Sequence, residues 1–374
     1  MKIFLYEHIS GGGFRKEALP KPLAAEGLAM LVPLVEGFYA IPDVEVTLLL
    51  DSRISTTLFP PVHIHPVDKT FESPFRNALK KSDAALVIAP ETDGVLLNLT
   101  RKVERAGVIN LGCSSKSVSR FGDKSASYRA LKKIGLPLPS TIKYLLDCDV
   151  KKVCKSHSFP FVVKPLHGVA SEGVYVIQNK VQFESALKEF KKNRLGPEFL
   201  VQEYIPGFHR SAILLGNSVE QKLISTNIQI IFKGAYKGKV KNLVPNPKDD
   251  PDFFTLQWKD DRQDHPERFE YLGSVVPVEL PDRSQLDSIV HRIHENHPGL
   301  NGFWGIDFVL SGNEIKIIEI NPRPTTSLFA ASSLISNNCS SLLLNHVLKE
   351  SPVEVRMEGS MTFTKVDLVN KFFL

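Results

Sequence analysis

The sequence is poor in residues that build covalent or metal frameworks. Its 374 residues include only four cysteines, Cys113, Cys148, Cys154 and Cys339, and no two form a C-x-x-C pair. A disulfide scaffold and a zinc ribbon are thereby excluded, and reduced thiols in a cytoplasmic protein are expected. No apolar run reaches the length of about eighteen residues that a membrane span needs. The opening MKIFLYEHISGGG is broken by Glu7 and His8 and followed by no A-x-A-like site, so it does not read as a signal peptide. Neither sign of charge dominates, since 46 basic and 41 acidic residues leave a net +5. Lys and Arg are spread along the chain rather than gathered in a stripe, which points away from nucleic acid and toward a small anionic ligand. Neither a G-x-S-x-G elbow nor a Cys-His context suggests covalent catalysis.

What is present alternates between strands and helices. With 43% hydrophobic and 23% charged residues, the chain has material for two or three globular domains. KIFLY at 2–6, VEVTLLL at 44–50, AALVIA at 84–89 and VINLG at 108–112 are strand runs, with helical stretches at 22–38 and 93–106. This pattern predicts βαβ units in a Rossmann-like open sheet. SGGG at 10–13 follows the first strand, where such sheets bind ligands. It lacks the G-x-G-x-x-G spacing, so it is either a plain turn or, with Glu7 and His8, part of a substrate pocket.

From about 120 the pattern changes. A helix at 125–135 closes at Gly135 before LPLP, and FPFVVKPL at 159–166, VYVI at 174–177, a helix at 181–193 and FLVQEYI at 199–205 outline a small α+β unit. Beyond it lie the strands SAILLG and EQKLISTNIQIIF, then a polar loop at 245–268 that is either a flap or an insertion. A helix at 283–297, a hairpin at 303–320 and one or two edge strands after Pro352 complete the reading.

Chemistry concentrates in the hairpin GFWGIDFVLSGNEIKIIEINPR. A three-residue loop, 312–314, would set Asp307 opposite Glu319, with Asn321 on the same face because side chains repeat every two residues along a strand. Facing carboxylates destabilise a ladder. They are either solvated or bridged by Arg323, or they hold a divalent cation such as magnesium, which takes oxygen ligands and leaves positions for phosphates. Two lysines favour the cation. Lys164 interrupts the apolar run FVVKPL, where an ammonium is costly without an anion, and the small-residue loop at 167–174 offers backbone N–H groups to phosphates. Lys124 follows Asp123, a good N-cap, and a first-turn lysine opposes the helix dipole unless an anion lies close. His291, His294 and His297 recur at intervals of three on one predicted helix; with no carboxylate to complete a metal site, they read as a solvated face.

The order of these stretches, DK before a helix and a G-L-P-x-P turn, VVKP with a glycine loop, VQEYIPG, GIDF and IIEINPRP, resembles the ATP-grasp superfamily of carboxylate–amine ligases over about residues 110–345. KIFLYEHISGGG and EINPRPTTS are similar to its tyramine–L-glutamate ligase branch. The resemblance implies an α/β chain with a Rossmann-like pre-ATP-grasp domain at 1–117 and two α+β subdomains that grip ATP, a lid at 118–205 and a metal-binding, catalytic subdomain at 206–374. It implies that Lys124 and Lys164 contact ATP phosphates and that Ala170, Ser171, Glu172 and Gly173 close over them. Glu203, Tyr204 and Ile205 would meet the adenine with Gln202 beside them, and His209 stands where many relatives place an acidic residue for the ribose. Asp307, Glu319 and Asn321 would hold two magnesium ions, or manganese, while Arg323, catalytic together with Lys164, would meet a phosphate or the substrate carboxylate. The implied reaction joins a small carboxylic acid, such as L-glutamate, to a primary amine, such as tyramine, through an acylphosphate. The implied partners are those two small molecules, with no nucleic acid or membrane, and a homodimer is left open. A carboxylase or nucleotide-precursor ligase of the same superfamily, or a non-catalytic ATP-binding module, are the alternatives.

Overall fold

The computed structural model describes residues 1–166, 168, 173–234, 255–258, 266–349 and 354–374. Ile3 and Leu5 face one hydrophobic core and Phe4 and Tyr6 another, as in a strand covered on both sides. That strand, β1 (Lys2–Glu7), belongs to a five-stranded parallel sheet with β2 (Glu45–Asp51), β3 (His63–Val67), β4 (Ala84–Ile88) and β5 (Ile109–Asn110). The order is β3-β2-β1-β4-β5. Helix α1 (Lys21–Tyr39) covers one face; α2 (Glu72–Lys80) and α3 (Val95–Arg105) cover the other. Strand order reverses between β1 and β4, so the carboxyl ends of these two strands form the natural crevice of the sheet.

SGGG is an ordered turn rather than a loose one. Residues Ile9–Gly13 form one wide helical turn, with Ser10 and Gly12 buried. The buried Glu7 carboxylate accepts hydrogen bonds from Ile9 N (3.0 Å), Ser10 N (2.6 Å) and Ser10 Oγ (2.6 Å). Glu7 thereby ties this turn to β1. His8 lies 3.2 Å from the Tyr6 hydroxyl through Nδ1, and burial, helped by the charge of Arg15, pushes its pKa down to about 4. Between pH 6.5 and 4 the unfolded chain therefore takes up a proton at His8 that the folded chain refuses. Stability is expected to fall across that window by at most about 3 kcal/mol on this account. Urea midpoints at pH 7 and 4.5 should differ less in a His8→Asn variant than in the unaltered protein; an unchanged difference would clear His8 of this role.

Helices α4 (Ser115–Phe121) and α5 (Lys124–Lys133) lead into the second half. Asp123 caps α5, its carboxylate accepting from Ala126 N at 2.6 Å, and Gly135 just beyond has φ +68, which a glycine adopts without strain. Next come β6 (Thr141–Leu145), α6 (Val150–Ser156), β7 (Phe161–Pro165), β8 (Tyr175–Ile177), α7 (Lys180–Lys192) and β9 (Glu198–Glu203). Phe161, Val163, Tyr175, Phe183, Phe190 and Phe199 give this unit a core of its own.

The chain continues with β10 (Phe208–Gly216), β11 (Gln221–Gly234), β12 (Thr255–Trp258), β13 (Glu267–Val276), α8 (Ser284–Asn296), β14 (Gly302–Ser311) and β15 (Glu314–Asn321). Strands from both units join in one eleven-stranded sheet, nine of them along the path β15-β14-β10-β11-β13-β8-β7-β9-β6 and two off it, β12 beside β11 and an edge strand near the carboxyl terminus beside β13. Among the described residues, the ladder at the seam between the units pairs Glu267 with Val176 and Arg268 with Tyr175, and Phe269 N donates to Val174 O at 3.1 Å beside it. Arg268 also lies 3.2 Å from Glu189 of α7 and over the Tyr175 ring at 5.4 Å. Of the polar stretch at 245–268, only β12 and 266–268 fall within the described residues.

Two sequence expectations need correction. The hairpin turn spans two residues rather than three, since Ser311 pairs with Glu314; an irregularity between Asp307 and Phe308 then skips Ile318 and restores Asp307 opposite Glu319. The segment after Pro352 holds one edge strand, β16 (Met361–Thr364), followed by a helix, α11 (Lys365–Phe373), in place of a second strand. Thr364 and Asp367 form a capping box, and Leu368 and Phe372 are buried at helical spacing. Between hairpin and tail, α9 (Leu328–Leu334) and α10 (Cys339–Lys349) share with α1 and α11 the core on one face of the parallel sheet.

Candidate active site

The charged interruptions of the apolar strands converge on one cavity. Its wall includes Lys124, Lys164, Gln202, Glu203, Tyr204, Ile205, His209, Asp307, Glu319, Asn321 and Arg323. β14 and β15 supply the carboxylates, β7 and β9 face them, and α5 delivers Lys124 through its capped first turn. Asp307 and Glu319 pair across the ladder, as the hairpin register predicts.

Polar donors surround the two carboxylates. Lys124 Nζ lies 2.8 Å from Glu319 Oε2, so the anion sought by this first-turn lysine is a side chain of the protein itself. Asn321 Nδ2 donates to Asp307 Oδ2 at 3.2 Å and Gln229 Nε2 to Asp307 Oδ1 at 3.1 Å. Burial first, then the Glu319 charge, push the Asp307 carboxyl up to about 7. Burial acts on Glu319 in the same direction, but the charges of Lys124 and Lys164 outweigh it and hold Glu319 below its ordinary value. Two carboxylates and an amide, one of the acids reluctant to ionise, suit a hard divalent cation that completes its shell with water and phosphate oxygens.

Lys164 is 4% exposed. Its ammonium donates to Gln202 Oε1 at 3.0 Å, Gln202 Nε2 donates to Thr141 Oγ1 at 2.9 Å, and Thr141 Oγ1 donates to Pro139 O at 3.0 Å. This chain fixes Gln202 with its carbonyl toward the lysine. Burial lowers the Lys164 pKa to about 8 against the opposing pull of Glu319, so a polyanion in the cavity would meet a cation with much of its hydration already removed.

Next to Gln202, at the carboxyl end of β9, Glu203 N donates to Ser140 O at 2.8 Å and its carboxylate accepts from Ser140 N at 3.0 Å. His209 on β10 packs edge-on against Phe269, with centroids 5.1 Å apart. Gly173 has φ +70, while Ala170, Ser171 and Glu172 lie outside the described residues.

Arg323 pairs with a residue that the sequence reading did not single out. Its Nε lies 3.0 Å from Glu91 Oε1, just past β4 at the switch point of the parallel sheet, and Nη1 donates to Pro324 O at 3.0 Å. Despite burial, Glu91 and Glu319 keep the Arg323 pKa raised. Arg323 is thus held by Glu91 of the first domain and does not bridge Asp307 to Glu319. Gln229, Tyr271 and Glu26 also line the cavity and were not anticipated; the position of Glu91 at a strand's carboxyl end was the available signal. His291, His294 and His297 go separate ways, to Glu295 (3.3 Å), to Gln221 (3.1 Å) and against Phe121 (5.2 Å between centroids).

A family model described as an ATP-grasp domain matches residues 121–327, and one described as a pre-ATP-grasp 3 domain matches residues 44–118. The chain belongs to the ATP-grasp family. The tyramine–L-glutamate ligase of Methanocaldococcus fervens is 27% identical over 332 residues, covering 87% of this chain and 88% of that protein. The ligase of the same name from Methanocaldococcus jannaschii is 27% identical over 335 residues, covering 87% and 83%. Among solved structures, an ATP-grasp superfamily protein from Archaeoglobus fulgidus superposes with a TM-score of 0.62 at 24% identity over 97% of this chain and 98% of that one. Phosphoribosylamine–glycine ligase from Thermotoga maritima gives 0.62 at 15% identity over 96% and 78%. These two likenesses concern the fold.

Proposed function

We propose that the protein joins an amino acid, L-glutamate in the first instance, to a primary amine such as tyramine, at the expense of ATP. The observation that carries this reading is the meeting of Lys124, Lys164, Asp307, Glu319 and Arg323 in a single cavity. The names of the two similar archaeal ligases support the choice of substrates. As an ATP-dependent ligase of the ATP-grasp family, the protein has little covalent work to do, because phosphoryl transfer asks chiefly for positioning and charge neutralisation.

In this reading Lys164 and Lys124 neutralise the phosphates, and backbone groups of Glu203 and Ile205 meet the adenine beside Gln202 and Tyr204. His209 reaches the ribose. Asp307, Glu319 and Asn321 would hold the magnesium ions, which when bound supply charge neutralisation at the transferred phosphoryl group. Arg323, oriented by Glu91, holds the substrate carboxylate. An oxygen of that carboxylate forms a bond to the γ-phosphorus as the bond to the β,γ-bridging oxygen breaks and ADP leaves. The neutral amine then forms the C–N bond as the acyl C–O bond breaks, releasing phosphate and, after loss of a proton, the amide. A cytoplasmic location and a homodimer belong to the same reading. In a matrix of acids against amines, ADP release is expected to require an acid, an amine and magnesium together, with glutamate and tyramine among the active pairs. ATP binding without ADP release from any pair would instead indicate a non-catalytic ATP-binding module.

A further inference from the structure

The cavity wall carries one carboxylate with no part in the steps above. Asp307 and Glu319 sit with Lys124, Asn321 and Gln229, and Glu203 accepts from Ser140. Glu26 stands apart from them on α1 of the parallel-sheet domain, lining the cavity with Tyr271, Arg323 and Ser327. Its side chain is 13% exposed, and Lys365 Nζ, at the start of α11, lies 2.9 Å away. The same ammonium rests over the Tyr271 ring at 5.5 Å. The Tyr271 hydroxyl and Ser327 Oγ both meet Ser274 Oγ, at 2.9 and 3.2 Å, so the floor beside Glu26 is hydrogen-bonded in place.

Charges withdrawn this far from water add little stability over an apolar pair of similar volume. On a cavity wall, however, a fixed carboxylate selects the sign of what binds there. Arg323, Glu319 and Glu26 line the same cavity, and the charges of both glutamates act on the guanidinium. A substrate held by Arg323 at its reacting carboxylate would have Glu26 near its remaining groups. The group at Glu26 cannot be the attacking amine, since an ammonium in an ion pair has no free lone pair.

Resting on the ligase reading, we propose that Glu26 binds the ammonium of a zwitterionic amino acid, the acid substrate, and that Lys365 is a positioning residue that holds the Glu26 carboxylate in place. L-Glutamate and glutarate, which share two carboxylates and differ by the ammonium, separate the possibilities. Calorimetric titration of the protein loaded with magnesium and a non-hydrolysable ATP analogue is expected to show glutamate binding at least about 30-fold tighter, the equivalent of one charged contact of about 2 kcal/mol. Glu26→Gln should shrink that ratio to within about threefold by weakening glutamate alone, and Glu26→Asp should restore part of it. The melting temperature of each variant reports folding. Equal binding of the two acids by the unaltered protein, no glutamate binding, or an undiminished ratio in Glu26→Gln would overturn the proposal. ADP release is followed separately. Discrimination through Glu26 without turnover for any amine keeps this proposal and sinks the ligase reading, whereas equal turnover of glutarate and glutamate with tyramine does the reverse.

Discussion

Glu319→Ala is expected to lower ATP turnover by on the order of 10³-fold while the protein remains folded. Glu319 has three connections at once. It faces Asp307 across the ladder, it pairs with Lys124 at 2.8 Å, and its charge is the chief opposition to the desolvation of Lys164. Its removal takes away a proposed metal ligand and leaves two cations near each other without their shared anion. It also removes the like charge that helps raise the Asp307 carboxyl, which should then ionise at lower pH. The side chain is 26% exposed, so truncation opens no large apolar void and the cost in stability should stay below about 2 kcal/mol. Turnover and melting temperature measured together decide the matter, and turnover at the unaltered rate in a folded variant would remove Glu319 from the metal site.

Lys164→Met should act on binding. The methionine keeps most of the buried volume and loses only the charge, so ATP affinity is expected to weaken by on the order of 10²-fold, about 3 kcal/mol, as one charge-assisted phosphate contact disappears from a desolvated site. Stability should hold or rise, because burying an ammonium has a cost that methionine does not carry. That opposite movement distinguishes a ligand-binding lysine from one that supports the fold. An unchanged dissociation constant would assign Lys164 to the Gln202–Thr141 hydrogen-bond chain alone.

The legible parts of the chain are those where local and global demands coincide. β1, β2 and β4 are largely apolar and buried on both faces, so their positions and parallel arrangement are legible in the sequence. β3 does not, since HIHPV lies at the sheet's edge with most of its side chains exposed or half-buried. α11 was misread because valine and threonine suggest strand while the capping box of Thr364 and Asp367 decides for helix. Lys164, Asp307 and Glu319 stood out for the same reason that they matter, as charges within strands otherwise built for burial. Glu26 gave no such signal, and Glu91 only its place just past the end of β4. Each is an ordinary glutamate until the fold brings up Lys365 or Arg323 from hundreds of residues away, and no periodicity encodes that distance.

The seam between the two units leans heavily on Arg268. The unit containing β6–β9 has its own aromatic core, yet a single residue contributes a ladder pairing, an ion pair and a ring contact to its junction with β13. A junction so concentrated behaves as a rivet rather than a weld. Replacing Arg268 alone would remove both the ion pair to Glu189 and the contact with the Tyr175 ring, a loss that falls on the junction and on neither core.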